Sequence, residues 1–341
     1  MLFTVLVISV LISESDSFLQ GAQSVQPRAP AGASSVGTVP VGSSRPQTQA
    51  GVGTSQNQSG GGAAGGSSRP LIIPSGVRTI QDGQYSITSA RPLAVAAQLL
   101  SLKLGVPVSY EDATWLATAD VTTAKLDPSV SRAASPSFRV PIVPRESAFD
   151  FTLPSLAEMR NSSQPETIIA AVIETYHRLR NPGQFKLIRF GEGEFSIAAT
   201  AAGGKDGNMV PQLLPLDTRI SFPPRKRSLD EAIEEICAKV TASGPIPLIN
   251  NAPPAMYFTN NYTEIGADNE VARDVLSRLL RRKPAAGESP VGKAAWLVFS
   301  DPNSSTHSSV LSLYAVYGEV RLPDGSARME GVSWTAAGQP K

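Results

Sequence analysis

Glu192 and Glu194, in the run GEGEF, stand two residues apart, a spacing that aims both carboxylates to one side of an extended chain as an acid-base pair requires. The same run suits the solvated tip of a hairpin, which is the simpler reading. It lacks the third glycine and the helix start of a dinucleotide loop. His177 and His307 are the only two histidines, and neither has a Cys or a second His at ligand spacing, so no zinc site is expected. His307 lies among Ser304, Ser305, Ser308 and Ser309, yet no G-x-S-x-G elbow is present. Cys237 falls on an apolar helical stripe and reads as a buried thiol. No catalytic, cofactor-binding or metal-binding residue is therefore assigned. Two basic clusters, Arg225, Lys226 and Arg227 with Arg281, Arg282 and Lys283, are the candidate partner-binding residues, suited to an acidic protein or anionic surface. The sequons at Asn57, Asn161, Asn261 and Asn303 would matter only on a glycosylating export route.

Composition narrows the class of partner. The formal net charge of the 341 residues is +1, which gives no global reason to expect nucleic acid. One cysteine excludes an intramolecular disulfide framework, and 41% hydrophobic residues are enough for an apolar core instead. Leu2 to Ile12 has the length of a secretory h-region and is followed by small residues at Ser13, Ser15 and Ser17, so residues 1–19 are expected to be a signal peptide, although no positive n-region precedes them. The run is too short to span a bilayer, and no membrane span is expected after its removal. Residues 20–70 are rich in Gly, Ser, Ala, Gln, Val and Pro and carry no aromatic side chain, the composition of a disordered linker.

The elements that would position any site begin at Leu71. Arg227 to Asn250 is the most legible stretch: Ser228 and Glu231 have capping-box spacing, Leu229, Ile233, Ile236, Cys237 and Val240 share a helical face, and Gly244-Pro245 stops the helix before an apolar strand. Arg91 to Asp112 repeats the plan, with a helix from Pro92 ended by Gly105 and a strand VPVSY. Further helices are expected after a capping box at Ser163 and Glu166, and after a cap at Asp268 or Asn269. Strands are expected at 85–88, 138–143, 149–153, 185–190, 195–200, 217–222, 262–265, 295–299 and 311–317, with an irregular loop over 113–136. The Gly-rich break at 203–208 separates a first module, 71–202, from a second, 215–320, and a polar tail over 321–341 follows. The expected fold is α+β, two tandem βαββαββ-type layered modules.

This order, with helix starts in RPLAVAAQLLSLKLGVPVSYED and RSLDEAIEEICAKVTASGPIPLIN, resembles the short N-terminal module shared by secretins and TonB-dependent signalling receptors. The resemblance covers Gln84 to Tyr317 as two degenerate copies. It implies a periplasmic or secreted module of the bacterial envelope that binds another envelope protein and has no catalytic residues. Neither a secretin pore domain nor a receptor barrel follows Tyr317, so secretion or import itself is not expected. The contrasting expectation is an enzyme with its site in the cleft between the two halves.

Overall fold

A computed structural model describes residues 69–70, 74, 76–81, 83–123, 140, 142–155, 158, 164–190, 193–251, 262–281, 293–303, 307–322 and 326–331. The expected signal peptide and all but the end of the expected linker lie outside these residues.

In the first half, strands β1 (Arg69–Pro70), β2 (Val77–Gln81) and β3 (Gln84–Ser89) lead to helix α1 (Pro92–Leu104). Pro92 supplies a preset φ in the first turn, and Gly105 ends the helix at φ 65, a left-handed geometry that costs a residue without Cβ little. Strands β4 (Val108–Glu111), β5 (Val121–Thr123), β6 (Ile142–Pro144) and β7 (Ser147–Thr152) follow. Helix α2 (Pro165–Arg178) then leads into β8 (Gln184–Phe190), β9 (Glu194–Gly203) and β10 (Met209–Pro211).

The second half comprises β11 (Arg219–Ser228), α3 (Leu229–Ser243), β12 (Leu248–Asn250), β13 (Tyr262–Val271) and α4 (Ala272–Leu280). It closes with β14 (Ala294–Ser300), β15 (Ser309–Ala315), β16 (Tyr317–Arg321) and β17 (Ala327–Gly331). The capping box at Ser228 and Glu231 is formed, and Leu229, Ile233, Ile236, Cys237 and Val240 are buried together. Each large aliphatic side chain on that stripe contributes about 1.5–3 kcal/mol by leaving water.

The fold is mixed α+β, and the halves share one order with one pairing scheme. In the first, β3 pairs antiparallel with β7 while β4 lies parallel to β9 and β9 antiparallel to β8. In the second, β11 pairs antiparallel with β13, β12 lies parallel to β15, and β15 is antiparallel to β14. The two three-stranded units meet where β4 and β14 run parallel, giving a seven-stranded sheet that also includes β10.

Alternate residues of β14 serve two cores: Leu297 packs with the α1 and α2 stripes, and Trp296 and Val298 pack with those of α3 and α4. The first pair of helices therefore covers one face of the sheet and the second pair the other, while the β3–β7 and β11–β13 ribbons close the cores from outside.

Several local expectations need correction. Residues 204–207 form the turn between β9 and β10, closed by Gly204 N–H donating to Asn208 O, and the sheet continues from one half to the other. Helix α2 starts at Pro165 after Gln164, whose side chain accepts from Thr167 Oγ1 and makes no cap hydrogen bond; Ser163, the first residue of the expected capping box, lies outside the described residues. Asp268 and Asn269 lie within β13 at a register shift between the pairs Phe222↔Ala267 and Ile220↔Glu270, where Asn269 takes φ 53 and its N–H donates to Ser221 Oγ; Val271 precedes α4 instead. Residues 327–331 are not tail: β17 pairs with β16 and with β1, and this hairpin is held to α1 by Lys103 and Glu319 at 2.5 Å and by buried Met329. Within the expected 113–136 loop, β5 pairs with β6.

Candidate functional site

The polar side chains that converge in the molecule lie along the junction of the halves. Arg273, Ser277 and Arg281 are spaced four apart, so they form one stripe along α4 and the residue that follows it. That stripe faces Glu111 on β4 and Glu194 and Ser196 on β9. Arg273 grips Glu111 with two bonds, Nε to Oε1 at 2.7 Å and Nη2 to Oε2 at 2.6 Å, and also pairs with Asp217. Ser196 Oγ donates to Glu111 Oε1 at 3.0 Å, so every lone-pair direction used on this buried carboxylate meets a donor. Burial would lower the Arg273 value, but Glu111 and Asp217 outweigh it and hold the guanidinium more firmly charged than usual.

Glu194 is arranged differently. Its Oε2 accepts from Ser277 Oγ at 3.0 Å and from Arg281 Nε at 2.8 Å, and Arg281 Nη2 donates to Ser277 Oγ at 2.7 Å. Its Oε1 is buried and has no hydrogen-bond partner among the described residues. Burial raises the Glu194 carboxyl above the usual range, opposed by Arg281, Ser277 and Lys293. Burial likewise lowers Lys293, with Glu194 opposing. A buried carboxyl with a raised value and one uncommitted oxygen has the chemistry of a proton carrier.

On the other side of the β4–β14 junction lies a closed polar hub. Asp112 accepts from Arg91 Nε at 2.7 Å, Tyr110 OH at 2.7 Å, Trp115 Nε1 at 3.0 Å and Ser300 N–H at 3.3 Å. Arg91 also donates from Nη2 to Ser300 O at 2.8 Å and lies 5.0 Å over the Phe299 ring. With every partner satisfied, this hub ties β4 to the end of β14 and offers no reactive group.

The residues singled out from sequence separate accordingly. Glu194 and Arg281, noted there in different contexts, are brought together at 2.8 Å. Glu192, Arg282 and Lys283 lie outside the described residues. Arg225 is exposed with Glu235 at 3.7 Å, and exposed Lys226 lies 5.8 Å from the Tyr262 ring. Arg227 is no part of a surface cluster: it is 2% exposed, donates to the carbonyls of Pro223 and Ile265, and stacks over Phe222. His177 accepts the Phe185 N–H at Nε2 and is lowered by burial, a structural role, and His307 lies in the loop before β15. Burial pushes the Cys237 thiol up to about 12, which leaves it inert near neutral pH.

Sequence reasoning missed Glu111, Asp112, Arg91 and Arg273 as a set. The available signal was two acids closing the strand VPVSYED, where a solvated end would need none in particular. Among the described residues no group of His, Cys, Asp or Glu could hold a metal ion, and no helix is long and apolar enough to cross a membrane. A groove of about 330 Å³ between β7 and α2 is lined by Ala148, Phe149, Asp150, Thr175, Arg178 and Leu179 and contains none of the junction residues. No protein-family model, curated protein or solved structure matches the chain.

Proposed function

We propose that the chain is a non-enzymatic interaction module of the bacterial cell envelope, exported to the periplasm or beyond, that binds a protein partner by accepting a strand on a sheet edge. The observation that carries this reading is the way its own halves are joined. Two copies of one βαββαββ unit are held together by edge-to-edge pairing of β4 with β14, so a sheet edge is already the recognition surface within the chain. The strand of the first half that corresponds to β14 is β8, and among the described residues no strand pairs with its other edge. Strand addition draws affinity from backbone groups and needs no preformed pocket.

A second reading, an enzyme acting at the junction, draws on the raised carboxyl and uncommitted oxygen of Glu194. A photo-crosslinking residue at Leu187 on β8, compared with one at exposed Glu234 on α3, separates the two. The binding reading expects a discrete protein adduct from envelope preparations at position 187 and none at 234. No adduct at 187, together with turnover in a substrate screen that Glu194→Gln abolishes, would establish the enzyme instead.

A further inference from the structure

We propose that the partner taken by the β8 edge is a second copy of this chain, presented through its β12 edge, so that copies join head to tail as the two halves do. This rests on the reading of β8 as the binding edge, and it follows from a correspondence between the halves that can be fixed residue by residue. Ser101 Oγ accepts the N–H of Val108, seven residues on, and Thr241 Oγ1 accepts the N–H of Leu248, also seven residues on, so Val108 and Leu248 are equivalent. Val108 pairs with Phe195 and Leu248 with Ser309; Phe195 pairs with Arg189 and Ser309 with Ser300. Leu187 is therefore the counterpart of Val298, Lys186 of Leu297, Asn250 of Tyr110 and Asn251 of Glu111.

Within the chain the junction aligns Leu297 with Tyr110 and Val298 with Glu111. The same junction between copies aligns Lys186 with Asn250 and Leu187 with Asn251. The backbone of β8 is turned the right way for it. Phe185 N–H points away from β9 to His177, so the N–H and C=O of Leu187, two residues on, point to the same side.

The geometry also allows the contact to repeat. Going from one half to the other reverses strand direction and moves the helices to the opposite face, while the left-to-right order is kept. A whole copy, two such steps along, returns to the starting orientation, with β8 ready to lie parallel to β12 as β14 lies to β4. Such a contact is heterologous and extends rather than closing on a two-fold axis. Lys186 on an edge strand opposes indiscriminate pairing, and in this register it faces asparagine side chains instead of another cation. The residues that lock the internal junction, Glu111 and Arg273, have no charged counterparts here: Asn251 replaces Glu111, and matching the buried stripe Ile169, Val172, Ile173 and Tyr176 of α2 to Ala272, Val275, Leu276 and Leu279 of α4 puts Ala170 in the place of Arg273. The contact between copies is accordingly weaker than the internal one and depends on concentration.

The test is register-specific disulfide trapping. Cys237 is buried with its thiol pushed up to about 12, so it does not compete. Mixing Lys186→Cys chains with Asn250→Cys chains under mild oxidation should give covalent dimers, and a chain carrying both changes should give a ladder of multimers. Gln184→Cys with Asn250→Cys shifts the register by two residues, ~6.6 Å along the strand, and should give roughly tenfold less dimer. Equal trapping by the shifted pair, trapping by Lys186→Cys alone, or no trapping overturns the head-to-tail contact. A crosslink from position 187 to a different protein alone would also overturn it while leaving the binding-edge reading intact; no crosslink to any protein removes that reading as well.

Discussion

Each half places an arginine before its first helix, Arg91 ahead of α1 and Arg227 ahead of α3, and the two meet different surroundings. Arg91 reaches Asp112 and the carbonyl of Ser300, so it fastens β4 to the incoming β14. Arg227 finds backbone carbonyls, with Glu235 at 3.8 Å, and its buried Nε has no hydrogen-bond partner among the described residues. By contrast, Ser101 and Thr241 do the same work in both halves, each accepting the first N–H of the following strand. Residues that agree between the halves build the unit, and residues that differ join one unit to the next.

That division can be broken by substitution. The largest effect is expected at Glu111→Ala, which leaves Arg273 buried without its main partner and should cost about 3–5 kcal/mol in denaturant unfolding. Pairing Glu111→Leu with Arg273→Met should recover most of that loss, because the charge left behind, more than the lost attraction, carries the cost. Next come Ser101→Ala and Thr241→Val, each stranding a strand-opening N–H and each costing about 1–3 kcal/mol. If these two differed widely, the claim that they are equivalent would fail. Ser228→Ala removes the cap before α3 and should cost about 1 kcal/mol, with no counterpart at Arg91, whose side chain caps nothing.

The smallest effect at neutral pH is expected at Glu194→Gln, and its signature is the pH dependence. The folded carboxyl is raised above the ordinary 4.5, so its contribution is fully present below about that pH and is lost as pH rises through the folded value. Gln keeps the Ser277 bond without titrating. The stability of the variant relative to the native chain should therefore improve as pH climbs from 4.5 through the folded value, read by urea midpoints across that range.

Much of the unit was legible in the sequence because its signals are local. The α3 stripe, the Ser228 and Glu231 box, and Gly105 at the end of α1 follow from spacing of a few residues. The junction was not legible, because Arg273 and Glu111 are 162 positions apart and neither carries a local mark of its partner. Pairing also overrode a local signal at Asp268 and Asn269, good caps by composition: β11 pairs with Ala267 and Glu270 on either side of them, and they form the irregularity in β13 instead of a helix start. Of the candidate site, Glu194 and Arg281 were visible as residue types, but their meeting depends on α4 crossing β9.

Native-state hydrogen exchange on Glu111→Ala tests the central claim that the halves form one cooperative body joined at β4 and β14. The amides of Ile197 on β9 and Leu311 on β15, one in each core, should lose protection together, by roughly 100-fold or more if the substitution costs ~3 kcal/mol. Loss confined to one of them, with the other unchanged, would show two independently stable halves and contradict the account.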